Sequence, residues 1–296
     1  MAGQEQGRRG RAVVAGATGY LGQHLVRALH RDGWAVRALA RDAQRLREVR
    51  ELCEDVFVGE ATKRQTLDGL FADADVAFSS IGIRHFRRRP TYEEVDYQAN
   101  LNLVEAAEEA GVRRFVFVSV LDGAEVREVS PLVDARERVV ERLTKSPMEA
   151  VVLRPTGFFN DMGDFFQMAQ RGKVWLIGSG ATRINPIHGA DLADIAATAL
   201  SDEQPAAEIA AGGPEVLTQQ EIAELAFQTL GKPPRCGHVR PGLVRLLARV
   251  IGPFNRNAAA LALMFSTLGD RDAVGPAFGS HRLADHFRQL AAASTP

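Results

Sequence analysis

The chain has 296 residues, 46% hydrophobic and 25% charged, with 36 Lys and Arg against 37 Asp and Glu. That composition fits one large α/β domain with an appendage, and a formal net charge of −1 gives no reason to expect nucleic acid as a partner. Cys53 and Cys236 are too few and too far apart for a disulfide framework, and no CxxC or Cys/His cluster offers a metal site, so a reducing compartment is expected.

In chain order, residues 1–10 read as a disordered polar tail; Arg8-Arg9 among Gly, Gln and Glu has no apolar core, which argues against a secretory leader. No run approaches the roughly 18 apolar residues of a membrane span; Ala258 to Phe265 comes nearest. A cytoplasmic protein is the expectation. From Arg11 onward strand and helix patterns alternate. Strands are expected near 11–15, 35–40, 55–58, 75–79, 114–119 and 149–153, and helices near 19–32, 42–51, 63–71, 91–110 and 131–144. Phe115-Val-Phe-Val118 and Ala150-Val-Val-Leu153 are continuous apolar runs of the kind buried parallel strands show. Right-handed crossovers then give an α/β fold with a doubly wound parallel sheet.

The first strand ends at Ala15-Gly16-Ala17-Thr18-Gly19-Tyr20-Leu21-Gly22. Gly16 lets the chain turn tightly, Gly19 lets backbone approach an anion with no Cβ in the way, and Gly22 lets the new helix pack closely. Unpaired N–H groups at the helix start then favour a phosphate. The second strand ends at Arg41, where an NAD enzyme would carry an acid for the ribose 2′-hydroxyl. A guanidinium there suits the 2′-phosphate of NADP(H), with Arg37 and Arg45 nearby; a solvated surface arginine is the alternative.

Past Leu200 the order loosens, and a helix is expected to start at Thr218, where Thr-Gln-Gln-Glu221 fits a capping box. Residues 231–296 read as a small, mainly helical C-terminal cap. Within it Leu243, Leu246, Leu247, Val250 and Ile251 recur at helical spacing, while Arg245 and Arg249 share the opposite face. Three roles stay open for that helix: domain packing, a dimer contact, or lying on an anionic membrane surface. Arg84-His-Phe-Arg-Arg-Arg89 and the acid-free run from Gly231 to Arg256 point toward an anionic ligand or lipid headgroup.

The glycine spacing resembles that of the extended and atypical short-chain dehydrogenase/reductase families. The likeness recurs at Arg41-Asp42, Asp96-Tyr-Gln-Ala-Asn100, Phe117-Val-Ser119, Leu153-Arg-Pro-Thr-Gly157 and Asn185-Pro-Ile-His188. It implies a Rossmann-like NADP(H)-binding domain over 11–230, with substrate-pocket segments interleaved, and a small-molecule substrate. Cofactor contacts are then expected from Gly16 to Leu21, at Arg41, at Glu60 and Ala61, where the family usually reads Gly-Asp, and at Ser80, Ile81 and Gly82. Further contacts are expected at Ser119, Pro155, Thr156, Gly157 and Phe158, with Phe158 and Phe159 walling the pocket. Ser119 matches the family's catalytic serine. Leu132 and Arg136 stand where the catalytic tyrosine and lysine would be, so the usual phenol acid is missing and Arg136 would act as an electrophile. His188 reads either as an acid or as a structural helix-start residue, with Asp191 a helix cap. The resemblance implies NADPH-dependent reduction. Nitrogen-metabolite-repressor-like regulators also have the glycine loop without the Tyr/Lys pair, so a sensor or an assembly factor stays open, as does the oligomeric state.

Overall fold

A computed structural model of the chain describes residues 9–294, so most of the expected tail, residues 1–8, lies outside the described residues. Arg9 already runs beside the fold, its N–H donating to Gly33 O at 3.3 Å. In chain order the elements are β1 (Arg11–Ala15), α1 (Tyr20–Arg31), β2 (Ala35–Ala40), β3 (Asp55–Val58), β4 (Val76–Ser79), α2 (Ala99–Glu109), β5 (Arg114–Val118), α3 (Gly123–Val126), α4 (Pro131–Leu143) and β6 (Glu149–Pro155). There follow α5 (Phe159–Gln170), β7 (Val174–Ile177), β8 (Arg183–Ile184), α6 (Gly189–Ser201), β9 (Glu208–Ala211), β10 (Leu217–Thr218), α7 (Gln219–Thr229), β11 (Cys236–Val239), α8 (Pro241–Ile251), α9 (Arg256–Leu268) and α10 (Leu283–Ala293).

Seven strands form one sheet in the order β3-β2-β1-β4-β5-β6-β9, every pair parallel. This is the Rossmann-like, doubly wound arrangement. The order in which strands are added reverses between β1 and β4, which opens a crevice at their carboxyl ends where ligands bind in such sheets. One face is covered by α1 and α6 through Leu25, Val26, Leu192 and Ala196; the other by α2 and α4 through Leu103, Val104, Val139 and Val140. Arg114, fully buried in β5, donates to the Ala199 and Leu200 carbonyls at 2.9 and 3.1 Å, closing the end of α6 that has no intrahelical partners.

A second lobe has its own core, in which Phe159, Phe166, Ile222, Phe227 and Phe287 bring α5, α7 and α10 together. The capping box is present at α7: Thr218 Oγ1 accepts from Glu221 N at 3.1 Å and Thr218 N donates to Glu221 Oε2 at 2.7 Å. β11 pairs with β7, α8 packs on α9, and α9 reaches α4. The residues from 231 onward are thus shared between the second lobe and the α4 side of the sheet.

Three expected helices differ. Residues 42–51 form not an α-helix but 3₁₀ turns over Ala43–Leu52, interrupted at Arg47 with φ of 51°. The buried or half-buried Leu46, Val49 and Leu52 recur every three residues, the 3₁₀ period. The 63–71 helix shrinks to a single 3₁₀ turn, Arg64–Leu67, and the 91–110 helix begins as a π-helical turn over Glu93–Gln98 before α2.

Candidate cofactor and substrate site

The turn between β1 and α1 has the geometry its glycines were expected to provide. Gly16 has φ of 92°, and a Cβ on Gly22 would lie 2.1 Å from Gly16 O, so any larger residue would force α1 away from the turn. A Cβ at Gly19 would meet only Gly16 O, at 3.2 Å. Gly19 is the N-cap of α1 and supplies no side-chain cap, and the first turn carries no acid. Donor N–H groups therefore face the crevice at the positive end of the helix dipole. Ala17 and Leu21 are buried and can offer only backbone; Thr18 is half-buried.

Across the crevice, the loop after β4 is fastened by the Asp96–Asn100 segment. Ser80 N donates to Ala15 O at 3.1 Å, and a Cβ on Gly16 would lie 2.7 Å from Ser80 Oγ. Asn100, fully buried, receives the Ser79 hydroxyl at 2.6 Å and donates to Ile81 O at 3.2 Å. Asp96 accepts from Ile83 N at 3.1 Å and from Arg136 Nε at 2.9 Å. Arg136 also donates to Val118 O at 3.0 Å and lies where a Gly82 Cβ would be. Its guanidinium thus joins α4 to β5 and to the π-helical turn before α2, rather than standing free as an electrophile.

Ser119 is 1% exposed and donates to Glu137 Oε1 at 2.5 Å. Glu137, buried in α4, takes two further bonds from Arg154, at 2.9 and 3.1 Å, and Arg154 reaches on to Glu208 at 2.7 and 3.0 Å. The serine hydroxyl is therefore one end of a buried network that stitches α4, β5, β6 and β9. Leu132 is 3% exposed in a dry cluster with Ile83, Val133, Ala260 and Leu261, so α9 covers the position of the absent phenol.

After β6, Thr156 Oγ1 donates to Asn185 O at 2.6 Å, and Ile187 N donates to Gly157 O at 2.8 Å. A Gly157 Cβ would lie 3.0 Å from Ile184 Cδ1. Pro155 O accepts from Leu121 N at 3.1 Å. Phe158 packs edge-on to Tyr20, with ring centroids 6.3 Å apart, but Phe159 is 2% exposed in the second lobe's core, so only Phe158 walls the crevice. Tyr20 Oη accepts from Gly189 N at 2.9 Å, and burial raises its pKa to about 12. His188 caps α6 by accepting from Ala190 N at 3.2 Å and stacks on His281 at 4.1 Å. Burial, then the neighbouring His281, lowers its pKa to about 4. Asp191 does not cap the helix; it accepts from His281 Nδ1 at 2.8 Å.

At the far end, Arg41 is exposed and makes no hydrogen bond or close ion pair among the described residues, its charge reaching Glu60 only through a weaker, longer-range attraction. Arg37 is different: buried, it donates to Asp55 at 2.7 Å and to the Leu70 and Ala72 carbonyls at 2.9 Å, so it is not available to a phosphate. Arg45 is exposed. Glu60 pairs with Lys63 at 2.6 Å, which holds its carboxyl below the usual range, and Ala61 O accepts from Asn102 at 2.8 Å.

The NmrA-like family model matches residues 9–291. The chain belongs to the NmrA-like family. It is 31% identical over 193 residues to a photosystem II assembly factor of Guillardia theta, covering 64% of this chain and 60% of that protein. It is 32% identical over 190 residues to ceramide reductase of Caulobacter vibrioides, covering 62% of this chain and 59% of that protein. The matches thus span about 60% of those relatives' lengths. An NADPH-dependent quinone oxidoreductase of Escherichia coli, solved with NADPH, shares the fold at a TM-score of 0.71 and 18% identity, over 95% of this chain and 99% of that one.

In this NmrA-like chain one carboxyl at the crevice went unnoticed in the sequence. Asp161, in the first turn of α5, accepts from Phe158 N at 3.3 Å and pairs with Arg84 at 2.6 Å. Burial raises its pKa, with Arg84 opposing. An acid in a first helical turn is ordinary dipole chemistry, and nothing local marks this one as desolvated. No group of His, Cys, Asp or Glu among the described residues has metal-binding geometry, and no described helix is long and apolar enough to cross a membrane.

Proposed function

We propose that the chain is an NADP(H)-dependent oxidoreductase that reduces a small organic substrate. The observation that carries this is the pairing of an uncapped α1 N-terminus, behind the Gly16–Gly19 turn, with the exposed Arg41 at the end of β2, which makes no close ion pair. These groups fit a pyrophosphate and a ribose 2′-phosphate respectively. When bound, the cofactor supplies a hydride from C4 of its nicotinamide.

The chain's own part is to hold and to protonate. Ser80, Ile81 and Gly82 line one wall of the crevice, braced by Asn100 and Asp96; Gly157 and Phe158 line the other. Asp161, whose carboxyl burial pushes toward the protonated form while Arg84 opposes it, is the candidate proton donor in place of the phenol that Leu132 cannot provide. Ser119 and Arg136 are positioning residues in this scheme, since each is already committed to a buried carboxylate. The ceramide reductase and the quinone oxidoreductase, both named for reductions, support the reading.

A second reading, an NADP(H) sensor, is favoured by the dry surroundings of Leu132 and by the occupied Ser119 hydroxyl. One experiment separates the two. The protein is titrated with NADPH and NADH by calorimetry and then offered quinones, enones and aldehydes while the loss of reduced-nicotinamide absorbance is followed. Selective NADPH binding with turnover supports the reductase; selective binding without turnover supports the sensor. Equal affinity for the two nucleotides defeats the assignment of Arg41.

A further inference from the structure

We propose that the outer face of α8, together with the loop that carries Phe86, docks on the surface of an anionic lipid bilayer. Only Ala248 of α8 is buried. Leu243, Leu246, Leu247, Val250 and Ile251 all face solvent, with exposures from 40% to 61%, and Phe254 follows at 71%. The amphipathic helix is thus mounted with its apolar side outward.

A second exposed aromatic is fixed beside it. Asn255 Nδ2 donates to Phe86 O at 2.7 Å, and the fully buried Asn257 donates to the Arg87 and Pro90 carbonyls, both at 2.8 Å. Phe86, 60% exposed, and Phe254 therefore share one rim, although about 170 residues separate them in sequence. Contiguous exposed apolar surface of this kind marks an interaction site.

Charge identifies the occupant. Residues 225–269 contain no Asp or Glu but include Lys232, Arg235, Arg240, Arg245, Arg249 and Arg256. Arg245 is taken by Asp270 and Ser266. Arg240, Arg249 and Arg256, with Arg87 and Arg88 of the loop, are exposed and have no acidic partner among the described residues. An apolar strip rimmed by free guanidiniums complements an anionic interface, with the strip at the acyl boundary and the cations among the phosphates. A second copy docked through the same face would set Arg240, Arg249, Arg256, Arg87 and Arg88 against their own images, while the nearby acids Asp270 and Glu94 are already paired with Arg245 and Arg89.

The test is co-sedimentation of the full chain with vesicles of phosphatidylcholine alone, and of three parts phosphatidylcholine to one part phosphatidylglycerol. Binding is expected to the anionic vesicles and only weakly to the neutral ones, and it should fall steeply as added salt shortens the screening length. Arg249→Gln with Arg256→Gln should weaken binding about 25-fold, roughly fivefold per cation. Val250→Ser with Phe254→Ser should weaken it at least tenfold. All four side chains are exposed, so thermal midpoint and NADPH affinity should not move. Equal binding to neutral vesicles, or unaltered binding by either double variant, overturns the proposal. So does the absence of vesicle binding, whether the chain is then monomeric or forms an oligomer that Val250→Glu dissolves.

Discussion

Replacing Ser119 by Ala separates a catalytic hydroxyl from a positioning one. In the folded protein the hydroxyl donates to a buried carboxylate at 2.5 Å and is 1% exposed, so the bond is a charge-assisted one made away from water. Its loss should cost about 1.5–3 kcal/mol. The cost stays at that level because Glu137 keeps both bonds from Arg154. For a chain of this size the thermal midpoint should drop by roughly 3–10 °C. Glu137→Gln is the larger perturbation, since it removes the buried carboxylate and leaves Glu208 as the one acid paired with the Arg154 guanidinium, and about 3–5 kcal/mol is expected. Calorimetric or denaturant unfolding measures both, and steady-state NADPH oxidation, assayed well below the melting range, measures function. Ser119→Ala should retain activity to within about tenfold, short of the 10²-fold or greater loss of a general acid–base group. A Ser119→Ala protein with an unshifted midpoint and activity down a thousandfold would refute the argument, because the hydroxyl would then be acting on substrate and not on Glu137.

Arg41→Ala should weaken NADPH about ten- to a hundredfold and leave NADH unchanged in calorimetric titration, the cost of one charge-assisted phosphate contact. Asp161→Asn should lower kcat by about 10²-fold or more at constant NADPH affinity. Burial pushes the Asp161 carboxyl upward, so if it donates the proton the unmutated rate should decline toward alkaline pH, and the variant's pH profile should lose this decline. His188 titrates at about 4 in the fold against an ordinary 6.5, so the unfolded chain binds the extra proton first. Stability should be fully present above about 6.5 and fall as pH drops toward 4; His24 and His286 shift the same way, and His188→Gln should flatten this acid limb in denaturant titrations.

The parts of the site that were legible in the sequence are those fixed by neighbours in the chain. The Gly16–Gly22 turn and the Thr218 capping box are local stereochemistry, and both stand as expected. Arg37 and Arg41 look alike at two-residue strand spacing, yet Arg37 finds Asp55 and carbonyls more than thirty residues away while Arg41 finds none. Ser119 and Arg136 were recognisable by position, but their partners Glu137 and Asp96 depend on how α4 lies across β4 and β5. Leu46, Val49 and Leu52 did carry a three-residue period that argues for 3₁₀ geometry. The spacing of apolar residues along α8 shows an amphipathic helix without showing which side packs; in the fold α8 packs on α9 with Ala248 as its buried residue.

The core of the second lobe closes on the last helix. Leu283 and Phe287 of α10 are 1% and 0% exposed, and Phe287 lies 5.6 Å from Phe166 of α5. All seven strands of the main sheet have been synthesised by Ala211, whereas α10 is complete only at Ala293. At about 5–20 residues per second, a ribosome takes roughly 4–16 seconds to cover that interval. Throughout it, a nascent chain whose sheet strands are already complete carries the aromatic faces of α5 and then α7 without the α10 side chains that share their core in the finished fold.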